Sequence, residues 1–244
     1  MISVCIATYN GEKYIRQQLA TILCQLQPED EVIISDDGSN DNTLDIIASL
    51  KDKRIKVFHH KKSDSKAKYP FEYVTRNFEN ALRHAGGNII FLSDQDDIWL
   101  PAKVQTVTNA LTQSNCILIL HDCEVADETG KMIHKSYFEL NGSRKGICKN
   151  LIKNSYLGCC MAFRKELLKT AIPFPASSVP HDIWLGLLAE WKGRVVFCNH
   201  KLSKYRRHQS NLSSAGSKSQ FSLMTKITYR LTLTKAIIKR ALQY

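Results

Sequence analysis

Acidic residues are missing from the end of this 244-residue chain: no Asp or Glu follows Glu190, whereas twelve Lys and Arg do. Residues 1–190 carry 22 basic side chains against 23 acidic ones, so the net charge of +11 belongs to the last quarter. Charge confined in this way argues against a nucleic-acid footprint and for a basic segment facing phosphates or an anionic membrane surface. Apolar runs long enough to span a membrane are also lacking. The apolar start, residues 1–7, has no basic leader and meets Thr8-Tyr9-Asn10 too soon for a signal peptide. The eight cysteines include no C-x-x-C pair, which fits reduced thiols in a cytoplasmic protein, with adjacent Cys159 and Cys160 packing as small apolar side chains. There is no internal repeat and no low-complexity linker. With 43% hydrophobic and 23% charged residues, this length suits one α/β catalytic domain over residues 1–212, followed by a basic tail over 213–244.

Short β-rich runs alternate with helical patterns through the first half. Strands are expected at residues 3–7, 31–35, 55–58 and 88–92. Between them lie a helix with Ile15, Leu19, Ile22, Leu23 and Leu26 on one face, a helix over 43–50 capped by Asp41, and a helix over 71–85 stopped by Gly86-Gly87. That alternation predicts a Rossmann-like, mostly parallel sheet flanked by helices, with ligands beyond the carboxyl ends of the strands. Past Leu100 the pattern weakens. A helix opening at Pro101 and reaching Leu111 completes a nucleotide-binding half over 1–112, and a strand at 116–121, a turn at 127–130, helices at 165–171 and 182–190 and a strand at 195–198 form an acceptor-side half over 113–212.

Three of these strand ends carry chemistry. The run 88–92 leads into Ser93-Asp94-Gln95-Asp96-Asp97, where three carboxylates in four residues repel one another unless a cation is present. A D-x-D at a strand end suits Mg²⁺ or Mn²⁺ shared with substrate phosphates, although Asp97 by itself reads as a cap for the helix near Pro101. Ser35-Asp36-Asp37-Gly38-Ser39-Asn40-Asp41 places a carboxylate where a nucleobase N–H can meet it, with Gly38 for the tight turn. Thr8-Tyr9-Asn10-Gly11-Glu12 is a small polar loop suited to base and ribose. A turn and N-cap without a ligand is the competing reading of the segment 35–41.

In this order, Ala7-Thr8-Tyr9-Asn10-Gly11, Asp36-Asp37-Gly38-Ser39-x-Asp41 and Asp94-x-Asp96-Asp97-x-Trp99-x-Pro101-x-Lys103 resemble the family-2 glycosyltransferases of GT-A-type fold. The resemblance implies Thr8, Tyr9, Asn10, Glu12, Asp36, Asp37 and Ser39 around the donor's nucleoside, Asp94 near the ribose, Asp96 on the metal that bridges the diphosphate, and Arg76 along the donor site. Asn154-x-x-x-Gly158-Cys159-Cys160 is similar to the acceptor-side segment. His181-Asp182 stands where relatives carry Glu-Asp, which makes Asp182 the candidate general base or else an N-cap. His-Asp is more like the rhamnosyltransferase-like branch. Tyr205-Arg206-Arg207-His208-x-x-Asn211 is similar to the closing motif, implying Arg206 at the diphosphate and His208 on the metal.

The implied activity is inverting, metal-dependent transfer of a sugar from UDP-hexose or dTDP-rhamnose to a saccharide or lipid-linked acceptor. A nucleotidyltransferase competes, but loop 7–12 is too poor in glycine for its phosphate loop; a nucleotide-sugar binder without activity is the other alternative. Processive synthases need a Gln-x-x-Arg-Trp segment, which this chain lacks, so transfer of one residue is expected. In the tail, Met224, Ile227, Leu231, Ile238 and Leu242 share a helical stripe opposite Lys226, Arg230 and Arg240, a pattern for peripheral contact with the inner face of a membrane, for core packing or for dimerisation.

Overall fold

The structure is a computed structural model that describes every residue except 61–66, 68, 70, 176–178, 209–210, 212–222 and 244. The lysine-rich loop and the boundary between catalytic domain and tail lie outside the described residues.

The first half folds as its periodicity dictates. Strands β1 (Ile2–Thr8), β2 (Glu31–Asp36), β3 (Ile55–His59) and β4 (Ile89–Asp94) alternate with helices α1 (Ile15–Leu23), α2 (Thr43–Ser49) and α3 (Phe71–His84). The second half adds β5 (Ile98–Trp99), α4 (Lys103–Ser114), β6 (Leu118–Ala126), β7 (Met132–His134), α5 (Tyr137–Asn141), α6 (Ile147–Ile152), β8 (Met161–Arg164), α7 (Leu168–Ala171), α8 (His181–Lys192), β9 (Val195–Arg206) and α9 (Leu223–Ala241). All nine strands among the described residues join one sheet in the order β3-β2-β1-β4-β8-β6-β9-β5, with β7 beside β6. Six of the nine run the same way, and β5, β7 and β8 oppose them. The carboxyl ends of β1, β2, β4 and β9 therefore open on one edge. That edge collects the polar loops.

Alternation along each strand builds a core on either face. Val4, Ile6, Val32 and Ile34 face Ile15, Leu19 and Ile22 of α1 and Val104, Val107 and Leu111 of α4. Cys5, Ile33, Ile90 and Leu92 face Phe78 and Leu82 of α3, joined by Trp184 and Leu188 of α8 and Leu233 of α9. One close approach in this second core makes a testable point. A Cβ at Gly186 in α8 would fall 2.4 Å from the ring of Tyr156, which is 1% exposed and cannot swing aside. Gly186→Ala is expected to destabilise by about 1–3 kcal/mol despite alanine's better helix propensity, lowering the melting midpoint in a thermal scan. An unchanged midpoint would contradict this packing.

Several local expectations need correction. Asn42, not Asp41, occupies the N-cap of α2; Asp41 Oδ1 accepts instead from the amide and hydroxyl of Thr43 and stiffens the turn before the helix. Pro101 lies ahead of α4, whose N-cap is Ala102 in a left-handed conformation, φ 64°. Strand β6 runs on through His121-Asp122-Cys123-Glu124, a polar stretch, because Asp122 is satisfied inside the fold: it accepts from the amides of Cys123 and Phe138 and from the Ser136 hydroxyl. Strand β9 is three times the expected length because its pairing with β6 resumes after an irregularity near Asp122.

Candidate active site

The loops after β1 and β2 are sewn together by their own polar side chains. Asn10, at φ 48°, donates its amide to Ser39 Oγ at 2.9 Å and accepts the Asn40 amide at 2.8 Å. The Gly11 amide donates to Thr43 Oγ1 at 2.7 Å, and Glu12 accepts from the amide and side chain of Asn42. Gly38, at φ 77°, provides the tight turn expected of it. Beneath them Asp36 is fully buried. Its oxygens accept from Thr8 Oγ1 at 2.9 Å, Ser39 Oγ at 2.6 Å and the amides of Gly38 and Ser39 at 3.0 and 2.8 Å. A carboxylate has about four acceptor positions, so this one is filled from within. The expectation that Asp36 itself accepts from a nucleobase does not fit this geometry. Asp36 shapes the loop that Thr8 and Ser39 line. Asp37, its neighbour, pairs with His60 Nδ1 at 2.9 Å.

Gln95 ties this double loop to the acidic turn after β4. Its side-chain amide accepts from the Tyr9 N–H at 2.9 Å and donates to the Tyr9 carbonyl at 3.1 Å, lying so close over Gly11 that any Cβ there would collide with it. Tyr9 is left about half exposed at the rim. Asn77 of α3 donates to the Thr8 carbonyl at 3.1 Å, whereas Arg76 turns toward Glu72 on its own helix, 3.8 Å away. Of that pair, Asn77 rather than Arg76 reaches the loop.

The acidic turn meets the end of β9. Asp96 Oδ2 and His208 Nε2 stand 2.8 Å apart although 112 positions separate them, and the imidazole stacks on Tyr14 with centroids 5.0 Å apart. Arg206 is buried beneath. Its Nε donates to the Asp96 carbonyl, Nη1 to the Glu128 carbonyl and Nη2 to Gln17 Oε1, each at 2.7 Å, and its guanidinium lies over the Tyr14 ring. The placement of Arg206 at the diphosphate is corrected accordingly: at 3% exposure it clamps the Asp96 turn from behind. Asp97 is likewise no cap for α4. It accepts the Arg206 amide at 2.9 Å, and its other oxygen is buried without a partner.

Charge is crowded here. Burial and then the charges of Asp97, Asp96 and Asp182 push the Asp94 carboxyl well above its ordinary range. Burial and the Asp96 charge push Asp97 up to about 7. One oxygen from each of Asp94 and Asp97 and the Cys159 sulfur lie within 4.8 Å of one another. Cys159 and Cys160 pack in the hydrophobic core as expected, and the Cys159 sulfur also borders these carboxylates. Lys103 answers part of the charge: fully buried, its ammonium donates to the Cys159 carbonyl and to Ser203 Oγ, both at 2.9 Å, and lies 4.1 Å from the centre of the Trp99 ring. Three mutually repelling carboxylates and an orphaned buried oxygen fit a divalent cation. The oxygen and imidazole donors of Asp96 and His208 suit Mg²⁺ or Mn²⁺ better than the soft sulfur of Cys159 does.

Asp182 is near enough for its charge to add to the rise of Asp94. Pro180 takes the N-cap of α8, so Asp182 is not the cap. Its carboxylate accepts from the Ile183 amide at 2.7 Å and from Asn154 Nδ2 at 3.3 Å, which joins it to the segment expected beside the acceptor. Burial raises it to about 6. Before it, the ring of His181 stacks on Phe78 and fills the side-chain space of Gly158; burial drives it down to about 3, so the imidazole is neutral. Gln95, Asp97, Lys103 and Cys159 all stood inside the quoted motifs, yet nothing in their spacing signalled the contacts they make.

Comparisons with known proteins give the family and the fold. A UDP-Glc:α-D-GlcNAc-diphosphoundecaprenol β-1,3-glucosyltransferase, WfgD, from Escherichia coli is 26% identical over 218 residues, covering 88% of this chain and 80% of that protein. A dTDP-rhamnosyl transferase, RfbG, from Shigella flexneri is 33% identical over 113 residues, 45% of this chain and 38% of its own length. In fold the chain resembles S. aureus TarS, solved with UDP-GlcNAc, with a TM-score of 0.71 and 20% identity over 97% of this chain and 66% of that one. Residues 3–171 match the model of glycosyl transferase family 2, and the chain belongs to that family, on a GT-A fold.

Proposed function

We propose that this chain is an inverting, metal-dependent glycosyltransferase that moves one sugar from a nucleoside-diphosphate donor to a saccharide or lipid-linked saccharide in polysaccharide synthesis. The observation that carries the reading is the meeting of Asp96 with His208 at 2.8 Å within a cluster of acidic charge. The loops holding Thr8, Tyr9, Asn10, Glu12, Asp37 and Ser39 take the nucleoside, with Asp36 setting their shape. Asp94 lies toward the ribose. Asp96 and His208 would hold Mg²⁺ or Mn²⁺, which supplies Lewis-acid charge for a departing diphosphate.

Asp182 takes the proton of the acceptor hydroxyl as that oxygen attacks the anomeric carbon from the face opposite the diphosphate. The anomeric C–O bond breaks and its electron pair leaves with the nucleoside diphosphate, so configuration inverts. His181, neutral and packed on Phe78, backs the base without competing for its proton. The WfgD description, with a UDP-sugar donor and a diphosphoundecaprenol acceptor, supports the same pair of substrate classes here, and RfbG keeps dTDP-rhamnose as the second donor.

The test is to incubate the chain separately with UDP-glucose and dTDP-rhamnose, Mn²⁺ and a lipid-linked saccharide, and to assign the anomeric configuration of the product by NMR. Transfer from one of the two donors, with the anomeric centre opposite to the donor's, is expected. Tight donor binding with no release of nucleoside diphosphate would make the chain a binding protein. Retention of configuration would remove the role given to Asp182.

A further inference from the structure

Helix α9 is apolar on two faces, and only one of them is used. Leu233 and Ile237 are buried against the core, Tyr229 meets Phe71 edge-on, and Arg240, which sequence periodicity assigns to a polar face, is buried instead. The Arg240 guanidinium lies 5.1 Å from the centre of the Trp184 ring and donates to the carbonyls of Thr170 and Pro173. This docked face turns the other one outward. Met224, Ile227, Leu231, Ile238 and Leu242 recur at helical spacing on it, and they are 72, 43, 56, 54 and 84% exposed. Scattered apolar residues at a surface are ordinary, but five aligned on one helical face, with exposed Lys235 among them, are not.

The surroundings of the stripe are cationic. Among residues 223–241 there are five Lys and Arg and no Asp or Glu, and two of them are exposed at the stripe, Lys235 within it and Lys239 beside it. Arg230 donates to the carbonyl of Ile152, which brings the end of α6 alongside; Ile152 is itself 69% exposed. Next to it opens a cleft of about 220 Å³ lined by Arg144, Lys149 and Lys153. No helix among the described residues is long and apolar enough to cross a membrane.

We infer that the outer face of α9, with Ile152 and the basic cleft beside it, is a docking surface for an anionic lipid bilayer. The apolar stripe enters the boundary between headgroups and acyl chains while the flanking cations meet lipid phosphates. Charge selects this occupant over a second copy of the chain, because a self-association through α9 would press two cationic faces together. The surface stands on geometry and charge alone. Only its purpose rests on the proposed transfer: a bilayer docked there would hold a lipid-linked acceptor at the enzyme.

The test uses the full chain with sedimented vesicles, phosphatidylcholine alone against phosphatidylcholine with phosphatidylglycerol. Wild type is expected to pellet with the anionic vesicles and to be released by salt. Leu231→Glu/Ile238→Glu, two exposed positions outside the docked face, should cut partitioning by at least about tenfold while leaving the melting midpoint and transfer to a water-soluble acceptor as in wild type. Equal pelleting of wild type and variant, or equal pelleting with neutral vesicles, overturns the inference. So does a wild-type dimer in sedimentation velocity that binds no vesicles and is dispersed by the same substitutions. Failure of the transfer reading would appear separately, as loss of product from the soluble acceptor with vesicle binding intact.

Discussion

Asp182→Asn is expected to lower transfer by roughly 10²–10⁴-fold, the usual worth of a positioned general base, while donor and metal bind as before. The substitution keeps the size and one acceptor oxygen for the Ile183 amide, so little else in α8 should change. The pH dependence gives a second readout. Burial raises Asp182 to about 6, and the base form is the ionised one, so kcat/KM of the wild type should climb about tenfold per pH unit below 6 and level off above it. The variant should lack that limb. Stability moves in the other direction. Because the native carboxyl holds its proton more tightly than an ordinary aspartate, which titrates at 3.8, the native state binds more protons between about pH 3.8 and 6, and stability falls as pH rises through that window. A neutral amide removes this cost, so Asp182→Asn should be no less stable than wild type at neutral pH. A variant with wild-type turnover would leave the base unidentified.

Asp96→Asn should abolish transfer, a fall of at least about 10³-fold, since charge stabilisation by a bound metal is worth several kcal/mol. The amide oxygen can still accept from His208, and the Arg206 contact with residue 96 goes to its backbone carbonyl, which the substitution leaves in place. The fold should therefore survive. The loss should appear in the rate at saturating donor and in the metal concentration needed for donor binding, and not in the melting midpoint. Asp182→Asn and Asp96→Asn thus fail in distinguishable ways, the first with metal-dependent nucleotide binding intact and the second without it.

Much of this site could be read in the sequence because it lies where strands end. Thr8, Asp36 and Asp94 close apolar runs, and a parallel sheet brings such ends together without further instruction. The pairing of Asp96 with His208 was legible only through the family pattern, since no local rule links positions 112 apart. Misplacements came where burial decides. Asp36 and Arg206 carry the right groups for a base and a diphosphate, but the fold fills the acceptor positions of Asp36 and buries Arg206 with each of its nitrogens bonded inside the fold, and a linear motif does not show that. Short elements such as β5, β7 and α6 fall below the length at which periodicity speaks. In α9 the sequence shows one apolar stripe clearly; the face that docks is the one carrying Arg240, because Trp184 and two backbone carbonyls satisfy its charge.

The central claim is that a divalent cation held by Asp96 and His208 drives release of the nucleoside diphosphate. Its most direct test is the initial rate of nucleoside-diphosphate release with donor and acceptor saturating, followed as Mn²⁺ is added back to chelated protein, for wild type and Asp96→Asn side by side. The account predicts a wild-type rate that is at background without metal and rises to a plateau with it, and an Asp96→Asn rate that stays at background throughout. Full release by chelated wild type, or a wild-type metal response in Asp96→Asn, would contradict it.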